Sequence, residues 1–234
     1  MNKQQGFGLP EVMISLLLTS LIITALMNHY LSTKQYYSHL QSSMDESMEL
    51  QLVSDFMRDS IRQAGFTPCL SVDHLITLDQ RDGHGNLSAI EIGAELKINR
   101  MSPWFDVMLD RSNSTQILLT RNNTIRDDRP ILIADCYHAE VQRVLGVTNT
   151  ANGQMVTLAN PLVFTYQPPV YVGEWLQERF FIRQARGLFY QRDHADELTP
   201  LVKTMSLNLK TNLVQVNLGL DGDRELEFET RVRA

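Results

Sequence analysis

Six histidines, two cysteines and a carboxylate bordering an apolar run are the residues whose chemistry has to be judged first. His29, His39, His74, His84, His138 and His194 are scattered, and no HExxH or other pair at metal-ligand spacing joins them, so they read as surface or sheet residues. No GxSxG, Walker A or GxGxxG motif is present. Asp221, Asp223 and Glu225 offer oxygen ligands of the kind Ca2+ takes, but Asp221-Gly222 is already accounted for as hairpin-turn chemistry. No catalytic residue, metal site or cofactor is therefore expected. Cys69 and Cys136 form no CxxC and lack zinc spacing. In an oxidising compartment they can pair, and closing so long a loop stabilises by roughly 4 kcal/mol. The alternative is two separate buried thiols.

Glu11 is the physically odd residue. It borders sixteen uncharged residues, Val12 to Met27, interrupted only by the hydroxyls of Ser15, Thr19, Ser20 and Thr24. A charge within a membrane segment costs about 2.5 to 3.5 kcal/mol on insertion scales and less near an end, so a carboxylate kept there calls for a partner. Sixteen residues are short for a bilayer core of about 30 Å, and adding Phe7 to Glu11 brings the run near the required length. The polar leader that precedes it carries Lys3, ends in Gly6, and is much shorter than a secretory signal. With no small-residue site behind the apolar run, a cut is expected in front of it.

The elements that must carry these residues follow from periodicity. Leu40, Met44, Met48, Leu52 and Phe56, with Val53, Met57 and Ile61 beside them, recur at three- and four-residue spacing and predict one apolar helix face. No proline lies between Pro10 and Pro68, and Gly65 is placed to stop a helix. One helix from about Glu11 to Ala64 would be roughly 80 Å long; two helices hinged around Asn28 to Ser32 are the alternative. Beyond Pro68 short β-like runs separate turn residues: 74–78, 89–92, 116–120, 131–134, 140–145, 155–158, 179–184 and 188–191. Val214, Val216, Leu218 and Leu220 alternate with polar or small residues, Asp221-Gly222 turns the chain, and Leu226, Phe228, Thr230 and Val232 alternate again. The fold class is α+β, with the second half of a long N-terminal helix covering an antiparallel sheet.

Composition excludes some classes. Twenty-one basic against 27 acidic residues give a formal charge of −6, and no basic stripe exists, so nucleic acid is not an expected partner. Hydrophobic residues at 43% suit one globular core plus one short span and argue against a multi-pass protein. Trp104 and Trp175 read as core or partner contacts more readily than as adhesive surface aromatics.

The junction Gly6-Phe7, with Glu11 at the fifth position after the cut, resembles the site cleaved by prepilin peptidase in type IV pilin-like signal sequences. That resemblance implies cleavage after Gly6 and N-methylation of Phe7. It also implies a carboxylate at Glu11 that meets the terminal amine of a neighbouring subunit during assembly, with desolvation offsetting much of the Coulomb gain. Gly8 and Pro10 replace the more usual Thr and large aliphatic residue, and Pro10 is tolerated in a first helical turn.

Within that class, Ile61-Arg62-Gln63-Ala64-Gly65-Phe66 followed by Cys69 is similar to the signature of the PilW family of minor pilins, related to the J-type pseudopilins of type II secretion. Ala134-Asp135-Cys136, Phe180-Phe181-Ile182-Arg183 with Gly187-Leu188-Phe189-Tyr190, and Thr230-Arg231-Val232-Arg233 resemble further segments of it. Thr67-Pro68 stands where a glycine often precedes the first cysteine. The resemblance implies a leader (1–6), a membrane helix (7–29), its amphipathic continuation (30–65) and a periplasmic β-rich head (66–234) holding a Cys69–Cys136 disulfide. It implies an inner-membrane protein, later at the pilus tip, whose partners are prepilin peptidase, other minor pilins, the major pilin and the assembly platform. A J-type pseudopilin shares these features. A single-span sensor or adhesin would need neither the Gly6-Phe7 site nor Glu11.

Overall fold

A computed structural model describes residues 8–81, 85–120, 125–184, 186–222 and 224–233. The chain divides into two compact units, residues 1–51 and 52–234, and the boundary falls within a single helix, α1 (Leu9–Arg62). α1 runs without interruption through Asn28 to Ser32, so the hinged alternative is not adopted. Arg62 in the last turn complements the helix dipole. The helix ends two residues before the expected Ala64, and Gly65 then takes φ +69°. A Cβ at Gly65 would meet Ser71 Oγ at 2.3 Å and Ala89 Cβ at 2.7 Å, so the left-handed turn and the close chain approach both require glycine.

In the second unit the covered helix face is rotated from the expected one. Val53, Met57 and Ile61 are buried, with Ser54, Ser60 and Ala64 at their shoulders. Leu52 is 66% exposed and Phe56 39%, and Leu40, Met44 and Met48 of the first unit are exposed as well. Both stripes satisfy four-residue spacing; the one flanked by small side chains is the one that admits close packing. Phe56 still contributes an edge, meeting Phe180 at 5.7 Å and Tyr190 at 5.0 Å between ring centroids. Arg58 lies over the ring of Phe228 at 4.7 Å.

The strands are β1 (Ile76–Asp79), β2 (Ile90–Ile92), β3 (Glu95–Asn113), β4 (Gln116–Leu119), β5 (Pro130–Ala134), β6 (His138–Thr150) and β7 (Gly153–Leu158). They continue with β8 (Tyr171–Arg183), β9 (Gly187–Gln191), β10 (Ala195–Thr199), β11 (Val202–Lys210), β12 (Leu213–Leu220) and β13 (Glu225–Arg231). Among the described residues, one sheet has the order β10-β9-β8-β5-β6-β7-β4-β3-β2, with β1 parallel to β6, and β11-β12-β13 form a second. β3 pairs with β4 through one end and with β8 along most of its length. The antiparallel pairings β3-β8-β5-β6-β7-β4 therefore close into a ring. Inside it sits a core of Ile117, Leu119, Ile131, Ile133, Val144, Val156, Leu158 and Val172, with Met108 against them, so each of the six strands contributes.

β3, the longest strand, is not anticipated by periodicity. Its pairing with β8 steps from Met101↔Trp175 to Phe105↔Gly173, so three residues, Ser102 to Trp104, face one. That bulge accommodates Pro103, which has no N–H to give the ladder. β10, β11 and the first half of β8 are likewise additions. The β12-β13 hairpin forms as expected, with Gly222 at φ +76° and Val214, Val216, Leu218, Phe228 and Thr230 buried.

Candidate functional site

The carboxylate singled out by its apolar setting lies in the first turn of α1. Gly8 is the residue before the helix, and its N–H donates to Glu11 Oε2 at 3.0 Å. The side chain at the third helical position reaches back to the amide at the cap, as in half of a capping box, and meets the positive end of the helix dipole. Gly6 and Phe7 lie outside the described residues; Gly8 is the second residue after the expected cut. Farther along, Thr19 Oγ1 donates to the Ser15 carbonyl at 2.7 Å, Ser20 Oγ to Leu17 at 2.8 Å and Thr24 Oγ1 to Ser20 at 2.7 Å. Each of these hydroxyl donors is satisfied within its own helix. α1 is long and apolar enough to cross a membrane.

Cys69 and Cys136 are joined as a disulfide. Cys69 follows the end of α1, and Cys136 occupies the turn between β5 and β6. Asp135 beside it is buried, its Oδ1 accepting from the amides of Tyr137 at 2.8 Å and His138 at 2.6 Å, its Oδ2 from the Gln167 amide at 2.8 Å. Glu140 is also buried; its Oε2 accepts from Gln80 Nε2 at 2.8 Å and the Val163 amide at 3.1 Å. Glu140 and Gln142 lie on the same side of β6 as Val144 and so face the interior of the ring. The two carboxylates hold the segment between β7 and β8 at Val163 and Gln167. Between them the His138 ring stacks on Phe164 with centroids 4.9 Å apart.

Their electrostatics differ. Burial opposes the charge on Asp135, but the donors Gln167, Tyr137 and His138 outweigh it and hold the carboxyl below its usual range. At Glu140 burial prevails over the bonds from Val163 and Gln80, and the pKa is pushed up. Burial, then the charge of Glu140, raises the Tyr166 hydroxyl as well. Motif reading includes Asp135 only within Ala134-Asp135-Cys136, with no role assigned, and singles out neither Glu140 nor Tyr166. The signal that could have revealed the strand residue is a charged and an amide side chain, Glu140 and Gln142, at alternate positions among the apolar Ala139, Val141 and Val144.

The remaining sequence candidates are dispersed. His29 and His39 are exposed on α1, His74 ends a short 3-10 turn at Val72–His74, and His84 lies outside the described residues. Asp221 is exposed beside Lys203 Nζ at 3.7 Å, Glu225 opens β13, and Asp223 lies outside the described residues. Among the described residues no three His, Cys, Asp or Glu side chains stand together as a metal site. A cleft of about 300 Å3 is lined by Arg81, Asp127, Asp128, Arg129 and Arg143. Arg81 is held by Asp79 at 2.7 Å, and Arg129 pairs with Asp193 and Glu174. Trp175 is buried, whereas Trp104, on the β3 bulge, is 76% exposed.

A family model described as the prokaryotic N-terminal methylation motif matches residues 1–27. No curated protein and no solved structure matches the chain. The matched segment contains Gly6, Phe7, Glu11 and the apolar run, and such a motif implies processing by prepilin peptidase and the pilus assembly machinery. This chain thus bears the prepilin-type signature of a type IV pilin-like or pseudopilin protein, membrane-anchored by an apolar helix and carrying a β-rich soluble head.

Proposed function

We propose that this protein is a PilW-like minor pilin, a non-enzymatic structural subunit of the tip complex that primes assembly of a type IV pilus. The observation that carries the reading is Glu11, a carboxylate in the first turn of an apolar helix, which accepts from the amide of Gly8, three residues before it and the second residue after the expected cut. Cleavage after Gly6 frees the amine of Phe7, and Glu11 of one subunit then meets that amine in the next. Helix contacts provide the remaining attraction, and the disulfide-tied head selects neighbours. In this reading the subunit rests in the inner membrane with its head in the periplasm until assembly, where the oxidising environment supports the Cys69–Cys136 bond.

The test is the quantity of surface filament sheared from cells lacking the gene, compared with a complemented strain. Loss of filaments, restored by complementation, is expected. Unchanged filaments with hydrolases retained in the periplasm would assign the subunit to a secretion pseudopilus instead.

A further inference from the structure

Among the described residues β13 pairs with β12 alone, so one of its edges is open to them. The register shows which groups that edge presents. Leu220 N–H donates to the Arg224 carbonyl and Val232 N–H to Asn212, bracketing the ladder at both ends. Antiparallel pairing alternates with a period of two, so Leu226, Phe228 and Thr230 direct their amides and carbonyls toward β12. The backbone groups of Glu225, Glu227, Glu229 and Arg231 then face away from it. The same three glutamates carry their side chains on the exposed face of the strand, while Phe228 and Thr230 are buried on the other. Gln215 Nε2 donates to Glu227 and ties it across to β12.

We propose that the open edge of β13 receives an extended strand from another protein, with Lys or Arg at alternate positions and small or apolar residues between them. An added strand would run about 4.8 Å away, and its alternate side chains would stand opposite Glu225, Glu227 and Glu229. A second copy of this chain is a poor occupant. β13 against β13 sets glutamate rows together, and the end strands of the larger sheet carry Glu91 in β2 and Asp196 with Glu197 in β10. Like charges directly opposite are destabilising, so the acidic row closes this edge to self-pairing and leaves it open to a basic strand. β11 at the far side of the small sheet is not equivalent, because β8, β9 and β2 lie next to it. The inference does not depend on the filament reading.

The full chain in detergent micelles is titrated with a peptide as long as β13 that alternates lysine and valine, and with an isomer whose lysines are grouped at one end. The alternating peptide is expected to bind about tenfold tighter than the isomer, to weaken with salt, and to protect the amides of Glu225, Glu227 and Glu229 from hydrogen exchange. Glu227→Pro removes an outward N–H without touching the β12 ladder, and Glu225→Gln with Glu227→Gln and Glu229→Gln removes charge while leaving the backbone intact. Each is expected to weaken binding about tenfold with the melting temperature retained. Equal binding of the two peptides, or a Pro variant that melts and binds like the parent, overturns strand addition. Binding indifferent to the triple variant overturns the basic partner, and self-association abolished by Glu227→Pro overturns it in favour of a second copy.

Discussion

Gly8 donates its amide proton to Glu11 Oε2 at 3.0 Å, so the carboxylate caps the N-terminus of its own helix at the second residue after the expected cut. Capping and subunit pairing therefore draw on the same side chain, and two substitutions separate them. Glu11→Ala removes both and is expected to lower incorporation into sheared filaments about tenfold or more, with leader cleavage intact. Glu11→Gln keeps an acceptor for Gly8 and loses only the charge. Immunoblots of the sheared fraction should show it as deficient as Glu11→Ala; normal incorporation of the Gln variant would sink the pairing role.

The Cys69–Cys136 bridge spans 67 residues, and a chain-entropy treatment of such a loop gives about 4 kcal/mol. Cys69→Ser with Cys136→Ser is expected to lower the urea midpoint of the head accordingly, and reductant should reproduce the loss in the parent. A double variant as stable as the parent would show that the reduced unfolded chain is already constrained there.

Two carboxylates that hold the same segment between β7 and β8 titrate in opposite senses. The folded-state pKa of Asp135 lies below its ordinary 3.8, so its stabilisation is present above that value and disappears as pH falls through the folded one. The folded-state pKa of Glu140 lies above its ordinary 4.5, so its contribution is full below that value and is lost as pH rises through the folded one. Glu140→Gln is therefore expected to melt higher than the parent at about pH 8, with the gap closing toward about pH 4. Asp135→Asn should melt lower near neutrality, with its deficit shrinking in acid. Melting curves across pH check both, and a Glu140→Gln gain independent of pH would refute the assignment.

The two helix stripes make a direct comparison. Met57→Ala empties a buried site and is expected to cost about 3 kcal/mol. Leu52→Ala, only five positions away but mostly exposed, should cost less than about 0.5 kcal/mol. Equal losses on denaturant titration would restore the face that periodicity alone favoured.

The long helix, its glycine stop and the β12-β13 hairpin were legible because each is specified by neighbours in sequence: spacing, absence of proline, and a turn at Asp221-Gly222. Which stripe of α1 is buried was not, since Leu52 and Val53 are equally apolar and the choice rests on small residues at the contact. β3 was hidden by Pro103, whose tolerance depends on a bulge opposite β8. The closure of six strands into a ring was hidden too, because it follows from one strand pairing with two others far apart in sequence. At the candidate site, Glu11 and the cysteines announced themselves by type and setting. Asp135 and Glu140 did not, because their roles depend on amides contributed by Val163 and Gln167 from a distant loop.

The bridge between Cys69 and Cys136 also fixes how this protein bears load. Tension carried along the backbone at the end of α1 runs past Gly65 and passes by covalent bonds from Cys69 directly into the turn that joins β5 and β6. The intervening residues are bypassed. Fully drawn out they would release about 230 Å of slack, at about 3.4 Å for each of the 67 steps from Cys69 to Cys136. While the sulfurs remain joined that length is withheld, and a subunit pulled by its helix behaves as a short tether in place of an unspooling one.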